Sequence, residues 1–312
     1  MPTANASNAK LIIAAANGFI GQELVTYFRD YEIVALVRNI KPHFDSHGKK
    51  IRYVQWDGKT LGTWAQEFEG AKAVINLAGR SVNCRYNEKN KAAIFASRLD
   101  STKIIGEAIN QCKNPPWVWI NAGSATIYRH STGKQMTEAN GEFDNDFSVQ
   151  VCKAWEKTFE ETTIPRTRQV FLRISIVLGK SGGVFATLRK LTKLGLGGKH
   201  GTGEQFVSWI HIEDLCRSIE FLINRDDLYG VFNCAAPTPV RNVVFMQTLR
   251  KKLKIPFGLP QPRWILAIGT WIMRTEKELV LKSRNVIPER LTQSGFEFKF
   301  ETIHEAMKEL CS

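Results

Sequence analysis

Hydrophobic positions in the first half of the chain gather into short compact runs separated by longer stretches of helical period. The runs at residues 10–14, 32–37, 51–56, 73–77, 117–122 and 169–174 are rich in Val, Ile and aromatic side chains and do not alternate with polar ones. Strands buried on both faces have that pattern, which predicts an open parallel sheet. Between the runs, Ile20, Leu24 and Phe28 recur every four residues and give one apolar stripe to a helix over 20–29. Asn87 is placed to cap a long helix whose stripe is Phe95, Leu99, Thr102, Gly106 and Ile109. A third helix, about 146–161, carries Phe147, Val151 and Trp155 on one side, while Val149 and Lys153, four apart, share another face.

After residue 175 the pattern changes to longer glycine-rich connections, 179–183 and 195–203, and beyond Pro256 to short helices punctuated by proline. The expected class is α/β: a Rossmann-type doubly wound parallel sheet with a smaller mixed C-terminal lobe. Residues 1–9 are small and polar enough to be a flexible N-terminus. Residues 10–175 form the dinucleotide-binding domain, and 176–312 a substrate lobe and helical C-terminal region, some of it returning to the sheet.

Composition narrows this only a little. The formal net charge of +13 raises the possibility of a polyanionic partner. Yet the basic residues are scattered, and the densest cluster, Arg250, Lys251, Lys252 and Lys254, lacks the interleaved aromatics of a strand-binding groove. Nucleic acid is therefore not expected, and part of the excess charge serves to steer an anionic cofactor. The six cysteines show no CxxC pair, and no His/Cys spacing suits a metal. His211 and Asp214 read as a structural pair. A reduced, cytoplasmic setting fits best. The apolar run at 11–16 is cut short by Asn17-Gly18, and the run at 264–273 is too short to span a bilayer, so no membrane is expected.

The strongest local motif is Ala15-Ala16-Asn17-Gly18-Phe19-Ile20-Gly21, between the first strand and the first helix. Gly18 lets the backbone approach a pyrophosphate, Gly21 lets the helix pack close to the strand, and the helix N-terminus presents free N–H groups. Arg38 ends the second strand, where an acidic residue would hold a ribose 2′-OH and an arginine accommodates a 2′-phosphate; no Asp or Glu occupies 36–39. NADP(H) is the expected cofactor.

The segment 17–21 resembles the T-G-F-I-G turn of the extended short-chain dehydrogenase/reductases, and further matches follow in order. Asn76-Leu77-Ala78-Gly79 is similar to their N-x-A-G turn, Ser124-Ala125-Thr126-Ile127-Tyr128 to the serine strand end of UDP-galactose epimerase relatives, and Lys153 to the lysine of Y-x-x-x-K. Residues 83–86, 151–156, 173–179, 208–214 and 237–242 narrow the resemblance to an atypical branch of epimerase-family proteins with a C-terminal domain of unknown function. It covers nearly the whole chain.

The resemblance implies that Asn17, Gly18, Phe19, Ile20, Gly21, Arg38, Leu77, Ala78, Gly79, Lys153 and Ser175 touch cofactor, and that Ser124, Tyr128 and Lys153 serve catalysis. Three departures matter. Ala15 replaces the first glycine of G-x-x-G-x-x-G, tolerable if the backbone there does not need positive φ. Val149 stands where the catalytic tyrosine belongs, which makes Tyr128 the first candidate proton donor, with Tyr86 the other phenol near the inferred site. Ile176 replaces an asparagine that often touches substrate in sugar-nucleotide enzymes. The expected function is an NADP(H)-dependent oxidoreductase or epimerase-like enzyme acting on a small molecule between the lobes; the alternative is a catalytically silent NADP(H)-binding sensor or scaffold. Relatives often dimerise through the helices bearing Phe95 and Phe147, so the protein is expected to be a monomer or homodimer.

Overall fold

The computed structural model describes residues 9–40, 51–262 and 282–312. Most of the expected flexible N-terminus and the apolar run at 264–273 lie outside them. Seven parallel strands form the central sheet: β1 Lys10–Ala14, β2 Glu32–Val37, β3 Ile51–Gln55, β4 Ala73–Asn76, β5 Val118–Ser124, β6 Arg168–Ile174 and, much later, β10 Gly230–Cys234. Their order is β10-β6-β5-β4-β1-β2-β3. The chain therefore winds outward from β1 in one direction and from β4 in the other. The reversal between β1 and β4 opens a crevice at the carboxyl ends of the strands, the position at which such sheets bind ligands.

Sequence dictates this layout through burial. β1, β2, β4, β5 and β6 are nearly all buried, whereas the edge strand β3 is not. Helices α1 Phe19–Tyr27, α2 Glu88–Gln111 and α3 Phe147–Glu160 cover the faces. Asn87 caps α2 by accepting from the Asn90 N–H, and Asp146 caps α3 by accepting from the Val149 N–H; each such cap stabilises a helix by about 1 kcal/mol.

Beyond residue 175 the chain divides its loyalties. α5 Ile212–Ile223 buries Leu215, Ile219 and Leu222 in the sheet's own core, and β10 extends the sheet. The remainder builds a second core from Phe185 of α4 Gly183–Lys193, Trp209, α6 Asn242–Lys252 and the C-terminal α8 Ile303–Leu310. Two small ribbons accompany it: β7 Ile176–Leu178 with β9 Trp209–His211, which shares residues with both cores, and β8 Phe206–Val207 with β11 Val240–Arg241, which packs on the second. A five-residue helix, α7 Glu289–Gln293, packs on β10.

His211 and Asp214 are part of this joinery. The His211 ring caps α5 through the Glu213 N–H and meets Glu309 at 3.1 Å. The fully buried Asp214 carboxylate accepts the backbone N–H groups of Lys299 and Phe300, both at 2.9 Å, and pins the C-terminal segment to α5. Among the described residues no helix is long and apolar enough to cross a membrane.

Candidate functional site

Two cavities open at the carboxyl end of the sheet. The first, about 1060 Å³, straddles the β1/β4 crevice and is lined by Asn17, Gly18, Phe19, Ile20, Gly21, Arg38, Leu77, Ala78 and Gly79, all nominated above for cofactor. Its floor is made by the turn after β1. The Gly18 N–H donates to the Ala15 carbonyl at 3.0 Å, and α1 starts at once with no side chain capping its N-terminus. Those first-turn N–H groups remain to receive an anion.

The two glycines of the turn have different duties. A methyl on Gly21 would lie 2.7 Å from both the Ala15 carbonyl oxygen and Ala16 Cα, so only hydrogen lets α1 sit this close to β1. A methyl on Gly18 would meet only the Ala15 oxygen at 3.4 Å, an ordinary contact, and Gly18 has φ −75°. Neither packing nor backbone conformation of the protein itself demands glycine there. The open space beside an uncapped helix end fits a bound pyrophosphate.

Ala15 adopts φ +60°. The condition for alanine to be tolerated without strain is therefore not met: alanine sits in the left-handed region at a cost of about 1–2 kcal/mol, held by the Ala15 N–H bond to the Leu36 carbonyl and by the Gly18 bond to its own.

Around the rim, Asn17 Nδ2 donates to the Asn39 carbonyl at 3.2 Å, tying the first turn to the loop after β2. Gln55 fixes the Arg38 backbone by donating to its carbonyl at 3.0 Å, and the exposed Arg38 side chain borders the cavity. On the far wall, buried Asn76 holds the 77–79 turn open by accepting from the Ala78 N–H at 3.0 Å and donating to Asn121 at 2.7 Å. Among the other lining residues that sequence reasoning missed are the charged Asp57, Lys59 and Arg80. Asp57 shapes the loop after β3 by accepting from the Lys59 and Thr60 N–H groups, which hold its carboxyl below the usual range; the signal was an Asp-Gly directly after a predicted strand. With Arg38, Lys59 and Arg80 against Asp57, the lining is net positive.

The second cavity, about 160 Å³, lies between the ends of β5 and β6 and the C-terminal lobe, and takes in Ser124, Ser175 and Ile176. Ser124 ends β5, donates to Thr126 Oγ1 at 3.0 Å and accepts from the Thr126 N–H at 3.2 Å. Ser175 borders this cavity rather than the first, with its hydroxyl on the Cys234 carbonyl at 2.9 Å. Lys282 and Arg284, unforeseen from sequence, form the opposite wall.

Lys153 reaches neither cavity lining; its ammonium donates to the Asp144 carbonyl at 2.8 Å. Val149 is fully buried in a small cluster with Ala125, Tyr128, Met136 and Val286. Tyr86 packs on Phe147, with ring centroids 4.7 Å apart, and Phe95 meets Phe147 at 5.7 Å, so these aromatic stripes serve contacts within the chain.

Tyr128, the expected proton donor, lines neither cavity. It is fully buried, and its hydroxyl is shared between the Thr137 carbonyl at 3.1 Å and Asn233 Oδ1 at 2.8 Å while accepting from Arg173 Nη1 at 2.8 Å. Burial pushes the phenol pKa up despite Arg173. The hydroxyl's hydrogen bonds are thus made within the protein. Tyr128→Phe should accordingly lower stability by about 1–3 kcal/mol, because Arg173 and Asn233 lose a buried partner, and leave dinucleotide affinity within twofold; urea unfolding and fluorescence titration check this.

These features define a Rossmann-type dinucleotide-binding protein with a small cleft beside the cofactor cradle. A profile of the NAD dependent epimerase/dehydratase family matches residues 11–235, and a domain of unknown function, DUF1731, matches 261–310. The chain belongs to the NAD dependent epimerase/dehydratase family. It is 32% identical over 303 residues to an epimerase family protein of Staphylococcus epidermidis, covering 96% of this chain and 98% of that one. An epimerase family protein of Staphylococcus aureus strain MRSA252 is 30% identical over 305 residues, covering 96% and 98%. Among solved structures, human epimerase family protein SDR39U1 with NADPH superposes with a TM-score of 0.84 at 27% identity, covering 97% of this chain and 99% of that one. A nucleoside-diphosphate sugar epimerase from Corynebacterium glutamicum gives a TM-score of 0.75 at 25% identity, covering 98% of this chain and 59% of that one.

Proposed function

We propose that the protein binds NADP(H) in the first cavity and, as an oxidoreductase or epimerase-like enzyme, transfers a hydride between it and a small molecule in the second. The observation that carries this reading is the empty space at Gly18 beside the uncapped end of α1, in a net positive cavity. Arg38 at the rim and the NADPH in the human relative's structure support the phosphorylated dinucleotide. Hydride chemistry belongs to the nicotinamide; the protein orients it and offers a polarising donor. Ser124 takes that role, being the nominated catalytic side chain that lines the second cavity. Lys153 has to leave the Asp144 carbonyl to reach the nicotinamide ribose. The protein works in the cytoplasm, as a monomer or homodimer, without nucleic acid or membrane partners.

A second reading, a catalytically silent NADP(H) sensor or scaffold, is favoured by Val149 and Tyr128 both being enclosed in an apolar cluster. Turnover assays with carbonyl and sugar substrates separate the two. The cofactor itself is tested at Arg38. A charge-assisted contact to a 2′-phosphate contributes about 1.5–3 kcal/mol, roughly ten- to a hundredfold in affinity. Arg38→Ala should lose that much for NADPH and almost none for NADH in parallel titrations. Equal losses, or a wild-type preference for NADH, would remove the assignment.

A further inference from the structure

The second cavity has a chemical character that the dinucleotide does not explain. Its wall carries two cations, Lys282 and Arg284, and the hydroxyls of Ser124, Thr126, Ser175 and Ser208; no carboxylate is among its described lining residues.

The segment that brings the cations is rigidly seated. Arg284 donates its backbone N–H to the Phe206 carbonyl at 3.0 Å, Ser208 Oγ donates to the Arg284 carbonyl at 2.6 Å, and Val286 N–H donates to Ser208 Oγ at 2.8 Å. On its other edge the Met136 N–H donates to the Asn285 carbonyl at 2.7 Å, and the Ile287 N–H returns a bond to Met136 at 3.0 Å. Lys282 is ion-paired with Asp146, at the start of α3, and with Asp144 at 3.4 Å, so its charge is balanced from outside the lining and Arg284 is the cation that gives the cavity its character. Arg284 also donates toward the Thr126 carbonyl at 3.4 Å, which aims its guanidinium at the end of β5. A planar fork in the lining of a small cavity suits an oxyanion.

Size decides which oxyanion. A cavity of about 150 Å³ accommodates a benzene-sized molecule, and this one is about 160 Å³. Drug-sized ligands need roughly 300–1,000 Å³, and a nucleotide sugar is at least that large.

We propose that the second cavity is a subsite for a compact anionic substrate group, a carboxylate or phosphate next to the carbon that exchanges hydride, with Arg284 as its specificity residue and Lys282 beside it. This deepens the hydride-transfer reading and rests on it for the neighbouring cofactor.

The test is titration of the NADPH-loaded protein at low ionic strength with oxamate, with inorganic phosphate and with uncharged oxamide, followed by calorimetry and NADPH fluorescence. Oxamate or phosphate should bind saturably, and oxamide should not bind in the same range. Arg284→Gln should weaken the anion ten- to a hundredfold with NADPH affinity unchanged, and Arg284→Lys, which keeps the charge but loses the fork, should fall between. Three results overturn the subsite: no saturable anion binding to wild type, oxamide binding as tightly as oxamate, or both Arg284 variants binding anion like wild type. A tenfold loss of NADPH affinity in Arg284→Gln also overturns it, by assigning the arginine to the cofactor. If Arg284→Gln fails to fold, Arg284→Lys and the wild-type preference decide. Failure of wild type to bind NADPH at all defeats the hydride-transfer reading instead, and the same anion titration on unloaded protein still judges the subsite.

Discussion

Gly18→Ala should reduce dinucleotide affinity at least a hundredfold while changing folding stability by no more than about 1 kcal/mol. The two halves of this expectation come from different atoms. In the protein alone, the added methyl meets just one atom within 4 Å, the Ala15 carbonyl oxygen at 3.4 Å, and φ of −75° suits alanine. The residual folding cost is that of placing alanine rather than glycine at a helix N-cap, less than about 1 kcal/mol. In the complex, the methyl stands where a pyrophosphate must approach the first-turn N–H groups. Losing two charge-assisted bonds of about 1.5–3 kcal/mol each accounts for a hundredfold or more. Gly21→Ala is the opposite case. Its methyl collides with backbone at 2.7 Å, so it should destabilise the fold by about 1–3 kcal/mol. Calorimetric titration beside thermal unfolding separates the pair; a Gly18→Ala protein that binds NADPH normally would dismiss the cradle.

The sheet and its cradle were legible in sequence because their signals are local. Strands buried on both faces write continuous apolar runs, and the glycine turn, its helix and Arg38 lie within 30 residues of the first strand. β10 was not foreseen, since Gly-Val-Phe-Asn-Cys is short, carries a buried asparagine and earns its place only by pairing with β6, as Val231 does with Phe171. The ribbons of two or three residues carry no period to read.

The catalytic end was less legible for the same physical reason. Where a side chain points after a strand ends depends on distant partners, and Tyr128 turns inward toward Asn233, 105 residues on. Arg284 meets Thr126 across 158 residues, so nothing near Ser124 in sequence announces it. Ala15 shows the limit of motif substitution: its φ follows from the hydrogen bonds of the turn, and no composition reveals that the methyl is carried in a left-handed conformation.

The largest loss of stability is expected at Glu156. Its carboxylate meets Arg173 through Nε at 3.0 Å and through Nη2, and both side chains are more than 90% buried. Burial opposes the guanidinium charge, but Glu156 and Tyr128 outweigh it and raise the Arg173 pKa. The pair couples α3 to β6, and through Tyr128 and Asn233 it reaches β10 and the Ile287 carbonyl next to the segment that carries Arg284. Glu156→Ala leaves Arg173 buried and charged without its carboxylate, a change that costs about 3–5 kcal/mol. Urea unfolding should show that shift in midpoint. Glu156→Gln, which retains a hydrogen-bond acceptor, should lose less. The decisive comparison is the double variant Glu156→Leu with Arg173→Met, because replacing a whole buried pair by apolar side chains of similar volume is often neutral. It should recover more than half of the single-variant loss, a coupling well above the 0.3–0.5 kcal/mol scatter of independent sites. Additive losses instead would mean that each side chain acts through separate contacts, and the bridge would then not be what holds α3 against the sheet.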